Sequence, residues 1–397
     1  MTGRNFLFRV ALLLPVLVSF QSYAQQWMVP VDSANKSILT NPHIQFEATE
    51  AIDDMYNFNF ERAKNGFNAL KKQYGWHPLP YFLQGMNNWW QIIPHIPNET
   101  YDEAFYAEMD TALILSKRLY EEVNEVEGAF FLAITHAFRG RLLSERGQYA
   151  KSAVAGRNTL KYLGEVRGKT DYSPEILFAD ALFNYYAVWI RENYPLLRPL
   201  MALFPKGDKG LGIAQLKEVA NNAFYSRTEA QYYLMRLLAL EENDMIGGVR
   251  MASYLHESYP NNAYFHRFYA RLLYQTGKYR QASEESKLIL ARVDSAYQGY
   301  ESNSARYASF YLGHINELQY KYEEAIGYFN QAIAHSEKIG ATDKGYYFYS
   351  FLHLGRIEEK NGNEDKAREY YKKVRKVSKR SHGANKQAKA ALKRLRS

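Results

Sequence analysis

The ten histidines are the first residues to inspect for chemistry, because imidazole serves as metal ligand and as general acid or base near neutral pH. They are scattered. None follows a Glu by three positions, so the Glu-x-x-His spacing of di-iron bundles is absent, and so is His-Glu-x-x-His. Cysteine is missing altogether, which removes disulfides, thiolate metal sites, iron–sulfur clusters and a Cys nucleophile. No Gly-x-Ser-x-Gly elbow occurs, and no Walker A sequence. Gly207, Gly210 and Gly212 do not make a dinucleotide fingerprint, since no strand precedes them. Glu121, Glu122, Glu125 and Glu127 are a possible set of acid–base carboxylates, but they read better as a solvated helix end. Trp89-Trp90 ahead of Pro94-His95-Ile96-Pro97 suits either the cap of a ligand pocket or core packing at a loop. The sequence therefore predicts no catalysis, no metal and no cofactor. Its competing reading is a small-ligand or enzymatic site in the N-terminal half around Trp76, Trp89, Trp90, His95 and Trp189.

The elements that position side chains are more legible. A turn, an aromatic, two polar residues, Ala and a second aromatic four residues later recur along the chain. Asn59-Phe60-Glu61-Arg62-Ala63 leads to Phe67, Lys321-Tyr322-Glu323-Glu324-Ala325 to Phe329, and Asn363-Glu364-Asp365-Lys366-Ala367 to Tyr371. Gly277-Lys278-Tyr279 to Ala282 and the looser Gly147-Gln148-Tyr149 repeat the turn. Leu312-Gly313 and Leu354-Gly355 each precede the Ala by about one helix. Small residues let two antiparallel helices approach closely, and an aromatic one turn after Ala fills the gap to the next pair. Such a pair cannot bury its apolar face alone, so copies stack.

This pattern resembles the tetratricopeptide repeat (TPR) family. Units register at 229–262, closing on Tyr259-Pro260, at 263–296, and from about 306 and 348; 44–77 and a unit from Pro78 extend it toward the N-terminus. The resemblance implies an all-α, TPR-like α-solenoid of antiparallel helix pairs, and the remaining segments also read as helix, for about 17 helices. Phe204 to Gly212 with Gln215-Leu216 resembles a motif of the eukaryotic inclusion-body-clearance TPR proteins, which implies an all-helical chain without known catalytic residues.

The organisation expected is a signal peptide at 1–24, an N-terminal helical region at 25–193, a Pro/Gly-rich break at 194–212, a TPR array at 213–381 and a basic tail at 382–397. Arg4 and Arg9, the apolar run Val10 to Phe20 and Ser22-Tyr23-Ala24 carry the first of these. Export, with no later membrane span and no Cys, points to a periplasmic or outer-membrane-associated protein. The break is rich in Leu196, Leu197, Leu200, Met201, Leu203 and Phe204, and reads as a hinge or as a packed loop.

The chain carries +8 overall, but residues 366–397 carry +12. Lys386, Lys389, Lys393 and Arg396 recur at helical spacing, beside Leu392 and Leu395. Export disfavours nucleic acid, which leaves an anionic envelope surface, an acidic partner or a solvated solenoid cap. In a TPR array the first helices of successive units line the concave face. The register places Tyr264, Tyr307 and Tyr349 there as a ladder, with Arg267, Arg271, Tyr274, Phe310, His314 and Arg356 a turn or two on. Tyr and Arg in a groove suit a protein or peptide partner bearing carboxylates.

Overall fold

A computed structural model describes residues 37–195, 198–202 and 204–395. The expected signal peptide, Leu196, Leu197, Leu203 and Arg396 lie outside them. The described residues form helices and no strand: eighteen α-helices, one of them only four residues long, and a 3₁₀ turn at Ile93–His95.

Two compact units divide the chain, the first holding residues 37–92 and 96–234, the second 93–95 and 235–395. In chain order the first contains α1 (Pro42–Tyr56), α2 (Phe60–Tyr74), α3 (Leu79–Ile92), α4 (Asp102–Glu122), α5 (Glu125–Glu145), α6 (Tyr149–Val166), α7 (Pro174–Asn193), α8 (Arg198–Met201) and α9 (Lys209–Asn222). The division falls within α10 (Arg227–Leu240). Neighbours in sequence pack as hairpins, and α1 also meets α3 as α5 meets α7. Side-chain caps start several helices: Ser173 Oγ accepts from the Glu175 N–H ahead of Pro174, as a first-turn proline requires.

Of the 194–212 break, the described part is held against α7. Met201 is buried beside Phe183 and Ala187, and Arg191 donates to the carbonyls of Met201 and Phe204. Glu127, expected at a solvated helix end, is instead buried. It accepts from the Leu39 N–H at 2.8 Å and from Tyr172 Oη at 3.1 Å, with His77 Nε2 3.4 Å away, and these donors hold its pKa below the ordinary carboxylate value against the pull of burial.

The second unit continues with α11 (Met245–Ser258), α12 (Ala263–Gln275), α13 (Tyr279–Asp294), α14 (Ser302–Leu318), α15 (Tyr322–Lys338), α16 (Gly345–Lys360), α17 (Glu364–Val377) and α18 (Gly383–Arg394). The TPR-like logic of small against large is explicit here. A Cβ on Gly313 would sit 2.8 Å from the Phe329 ring, and one on Gly355 would sit 2.6 Å from Tyr371. Ala325, Phe329, Ala367 and Tyr371 are all fully buried at these contacts. The first helices α12, α14, α16 and α18 touch in succession, so their outer residues form one face.

The basic tail closes this unit. Ala384, Ala388, Ala391 and Leu392 of α18 join the core of α14–α17, while Lys386, Lys389 and Lys393 face solvent. Arg394 grips Glu359 with contacts of 2.7–2.9 Å. No helix among the described residues is long and apolar enough to cross a membrane.

Candidate functional site

The face of α12 and α14 gathers three guanidinium groups. Arg267, one turn into α12, donates to Ser304 Oγ at 3.0 Å and to the Pro94 carbonyl at 3.1 Å. Its charge also lies 5.6 Å from the Tyr264 ring centre and 5.7 Å from that of Tyr307. Arg306, only 6% exposed, donates to Asn303 Oδ1 and sits 4.2 Å from the Tyr307 ring. Arg271 lies over Phe268, and its buried Nε has no hydrogen-bond partner among the described residues. The partners of these three groups are thus neutral oxygens and π-faces; none forms an ion pair with a carboxylate among the described residues. Burial first, and the like charge of Arg306 in addition, press the Arg267 pKa below its ordinary value. A buried cation without a counter-charge is costly, and a bound anion would remove much of that cost.

Tyrosines complete the wall. Tyr307 meets Tyr346 at 5.2 Å, and Tyr346 meets Tyr311 at 5.6 Å. Tyr346 of α16 thus joins the wall beside Tyr307. Tyr349 lies 5.7 Å from His382, on the side of α18, as Tyr307 lies on the side of α16. Tyr274 stacks on Tyr311 at 4.4 Å and shares a 2.8 Å hydrogen bond with His314 Nδ1. Phe310 is buried in the core against Tyr346 and Phe329, and Arg356 donates to Gln387 at the far end. Sequence reasoning missed Arg306, Tyr311 and Tyr346. Arg306 was visible as a neighbour of Tyr307, whereas Tyr346 lies a turn ahead of the repeated position that Tyr349 occupies.

The residues of the competing N-terminal site do not converge. Trp89 and Trp90 are fully buried and diverge, Trp89 toward Phe105 and Phe138, Trp90 toward Tyr56 and Tyr232. Trp76 packs on His77, and Trp189 on Tyr186 and Tyr194. His95 belongs to the second unit, 3.7 Å from Glu301. What the first unit does bury is Glu229, whose Oε1 accepts from Trp90 Nε1 at 2.9 Å and Tyr56 Oη at 3.2 Å. Desolvation pushes its pKa up to about 7.

No family profile matches the chain, and no curated protein matches it. Solved structures that it resembles include a human IFIT1 dimer with PPP-AAAA (16% identity, TM-score 0.39, covering 81% of this chain and 69% of that one). A human IFIT1 dimer with m7Gppp-AAAA matches at 16% identity and TM-score 0.41, covering 80% of this chain and 68% of that one. A monomeric IFIT1 mutant with Gppp-AAAA matches at 16% identity and TM-score 0.40, over 80% and 68% of the two chains. The expectation that nucleic acid is no partner is corrected on this finding. It was drawn from export alone, and the IFIT1 structures named above carry PPP-AAAA, m7Gppp-AAAA and Gppp-AAAA; the exclusion is withdrawn.

Proposed function

We propose that the chain is a binding scaffold, without chemistry of its own, whose second unit grips an extended acidic segment of a protein partner along the arginine–tyrosine wall of α12, α14 and α16. The single observation that carries this reading is the set Arg267, Arg271 and Arg306, three half-buried or buried cations whose hydrogen-bond and ring partners are all neutral. Guanidinium groups bind carboxylates through paired N–H donors, and the flanking phenols add rigid contact area at low entropic cost. The basic run and apolar stretch at the N-terminus support a reading in which the chain is exported and meets its partner in a bacterial envelope.

The test is fluorescence anisotropy with an Asp/Glu-rich peptide and, in parallel, a 5′-triphosphorylated tetra-adenylate of matched charge. Charge-assisted hydrogen bonds contribute about 1.5–3 kcal/mol each, so Arg271→Gln and Arg306→Gln are each expected to weaken peptide binding about 10–100-fold. Unchanged peptide affinity in both variants overturns the reading. Tighter, Arg271-dependent binding of the oligonucleotide makes the wall a phosphate site and replaces the acidic-peptide reading.

A further inference from the structure

A second cluster in this unit serves neither the repeat packing nor the arginine wall. His256 on α11, His266 on α12 and Glu285 on α13 come from three consecutive helices. Together they bring two imidazole nitrogens and one carboxylate oxygen within 4.8 Å of one another. His266 Nε2 lies 2.8 Å from Glu285 Oε2, and His256 Nε2 lies 3.5 Å from the same oxygen. The two rings stack with centroids 4.4 Å apart and planes 19° apart, and both Nε2 atoms lie on the Glu285 side.

Three features distinguish this cluster from a chance ion pair. First, the spacing suits a metal: Zn²⁺ takes imidazole nitrogen and carboxylate oxygen at about 2.0–2.2 Å, which puts neighbouring ligands of a tetrahedral shell roughly 3.3 Å apart. Second, the far side of His266 is anchored. Its Nδ1 is 2.9 Å from Tyr300 Oη, which in turn accepts from Arg292 at 2.6 Å. Ligand histidines are characteristically fixed through their second nitrogen in this way. Third, the site is closed at one side and open at the other. His266 is 1% exposed, whereas the His256 and Glu285 side chains are 16% and 21% exposed. The buried Nδ1 of His256 has no hydrogen-bond partner among the described residues.

We propose that His256 Nε2, His266 Nε2 and Glu285 Oε2 bind one Zn²⁺ ion, with solvent in the fourth position. Two neutral imidazoles and one carboxylate are borderline donors that suit Zn²⁺ better than Mg²⁺ or Ca²⁺, which favour oxygen shells. The ion replaces the proton now shared between His266 Nε2 and Glu285. That imidazole then carries its proton on Nδ1 and donates it to Tyr300 Oη. Because the ligands come from three helices, the ion ties α11, α12 and α13 together and stabilises this part of the array.

The experiment uses the full chain without a histidine tag, stripped with EDTA. Titration with Co²⁺ reads the four-coordinate visible band, and calorimetry reads Zn²⁺ directly. One equivalent of Co²⁺ is expected to bind, to be displaced by Zn²⁺, and Zn²⁺ is expected to raise the thermal midpoint. His256→Gln and Glu285→Gln, both at partly exposed positions, are each expected to lower Zn²⁺ affinity at least 10-fold, while His43→Gln at an exposed position leaves it unchanged. Zinc K-edge absorption on the wild-type chain, which needs no variant to fold, is expected to show two imidazole ligands. Absence of saturable binding by either metal, wild-type affinity in both ligand variants, or an all-oxygen shell would each overturn the site.

Discussion

The repeat packing makes opposite predictions for two glycines on adjacent helices. At Gly313 an added Cβ would stand 2.8 Å from two carbons of the Phe329 ring, and that ring is fully buried. The ring has no space to swing away, so Gly313→Ala overpacks the helix pair at about 1–3 kcal/mol. Replacing a mid-helix glycine by alanine returns about 1 kcal/mol, which leaves a net loss of roughly 1 kcal/mol. Gly327 on α15 is exposed, with nothing within 4 Å of its built Cβ, so Gly327→Ala keeps the whole gain of about 1 kcal/mol. The two variants should therefore separate by about 2 kcal/mol, or roughly 4–8 °C in midpoint for a unit of this size. Urea and thermal unfolding followed by far-ultraviolet circular dichroism are the assays. Tryptophan emission is the wrong probe, since the last tryptophan is Trp189, in the first unit. If Gly313→Ala matches or exceeds wild type, the close approach of α14 to α15 is not what holds the pair, and the small-against-large argument fails.

Other consequences are as direct. Glu229 is fully buried and its folded pKa is raised to about 7 from 4.5 by desolvation. The native state therefore holds a proton that the unfolded chain has released, and stability falls as pH rises from about 4.5 to 7, by at most about 3 kcal/mol. Glu229→Gln keeps an oxygen for Trp90 and Tyr56, so it should match wild type near pH 4.5 and exceed it at pH 8; equal stability at both pH values refutes the buried-acid account. Tyr320 sits at φ 61° in the turn before α15 and is 77% exposed, where other copies of the turn carry Gly147, Gly277 and Gly362 at φ 71–78°. Tyr320→Gly removes a left-handed conformation costing about 1 kcal/mol, so a midpoint rise of a few degrees is expected, and a fall would contradict it.

Local spacing explains how much was legible in advance. Gly313 with Phe329, Gly355 with Tyr371, and the fully buried Ala325 and Ala367 are read from a pattern one helix pair long, and Ser173 ahead of Pro174 is a helix start written in two residues. The arginine–tyrosine wall was half legible. Arg267 and Arg271 follow from the register of α12, and Tyr307 and Tyr349 from their common offset to Leu312-Gly313 and Leu354-Gly355, but Tyr346 lies a turn ahead of that repeated position. Groups joined across long stretches of sequence were not legible. Glu175 accepts from the backbone N–H groups of Phe224, Tyr225 and Ser226 at 2.7–2.9 Å, about fifty residues away. His256, His266 and Glu285 likewise meet only because three helices stack, with no short motif to mark them. Glu127 was misread because its exposed neighbours Glu121, Glu122 and Glu125 hide one buried carboxylate among solvated ones.

The arginine–tyrosine wall is tested most directly by position-specific crosslinking. A photoreactive phenylalanine analogue is placed at Tyr346 in one variant and, in another, at exposed Leu288 on α13, and each is irradiated with the labelled acidic peptide. The account predicts a crosslink at position 346 that Arg271→Gln abolishes and none at position 288. Equal yields at the two positions, or a yield at 346 that ignores Arg271, would contradict it.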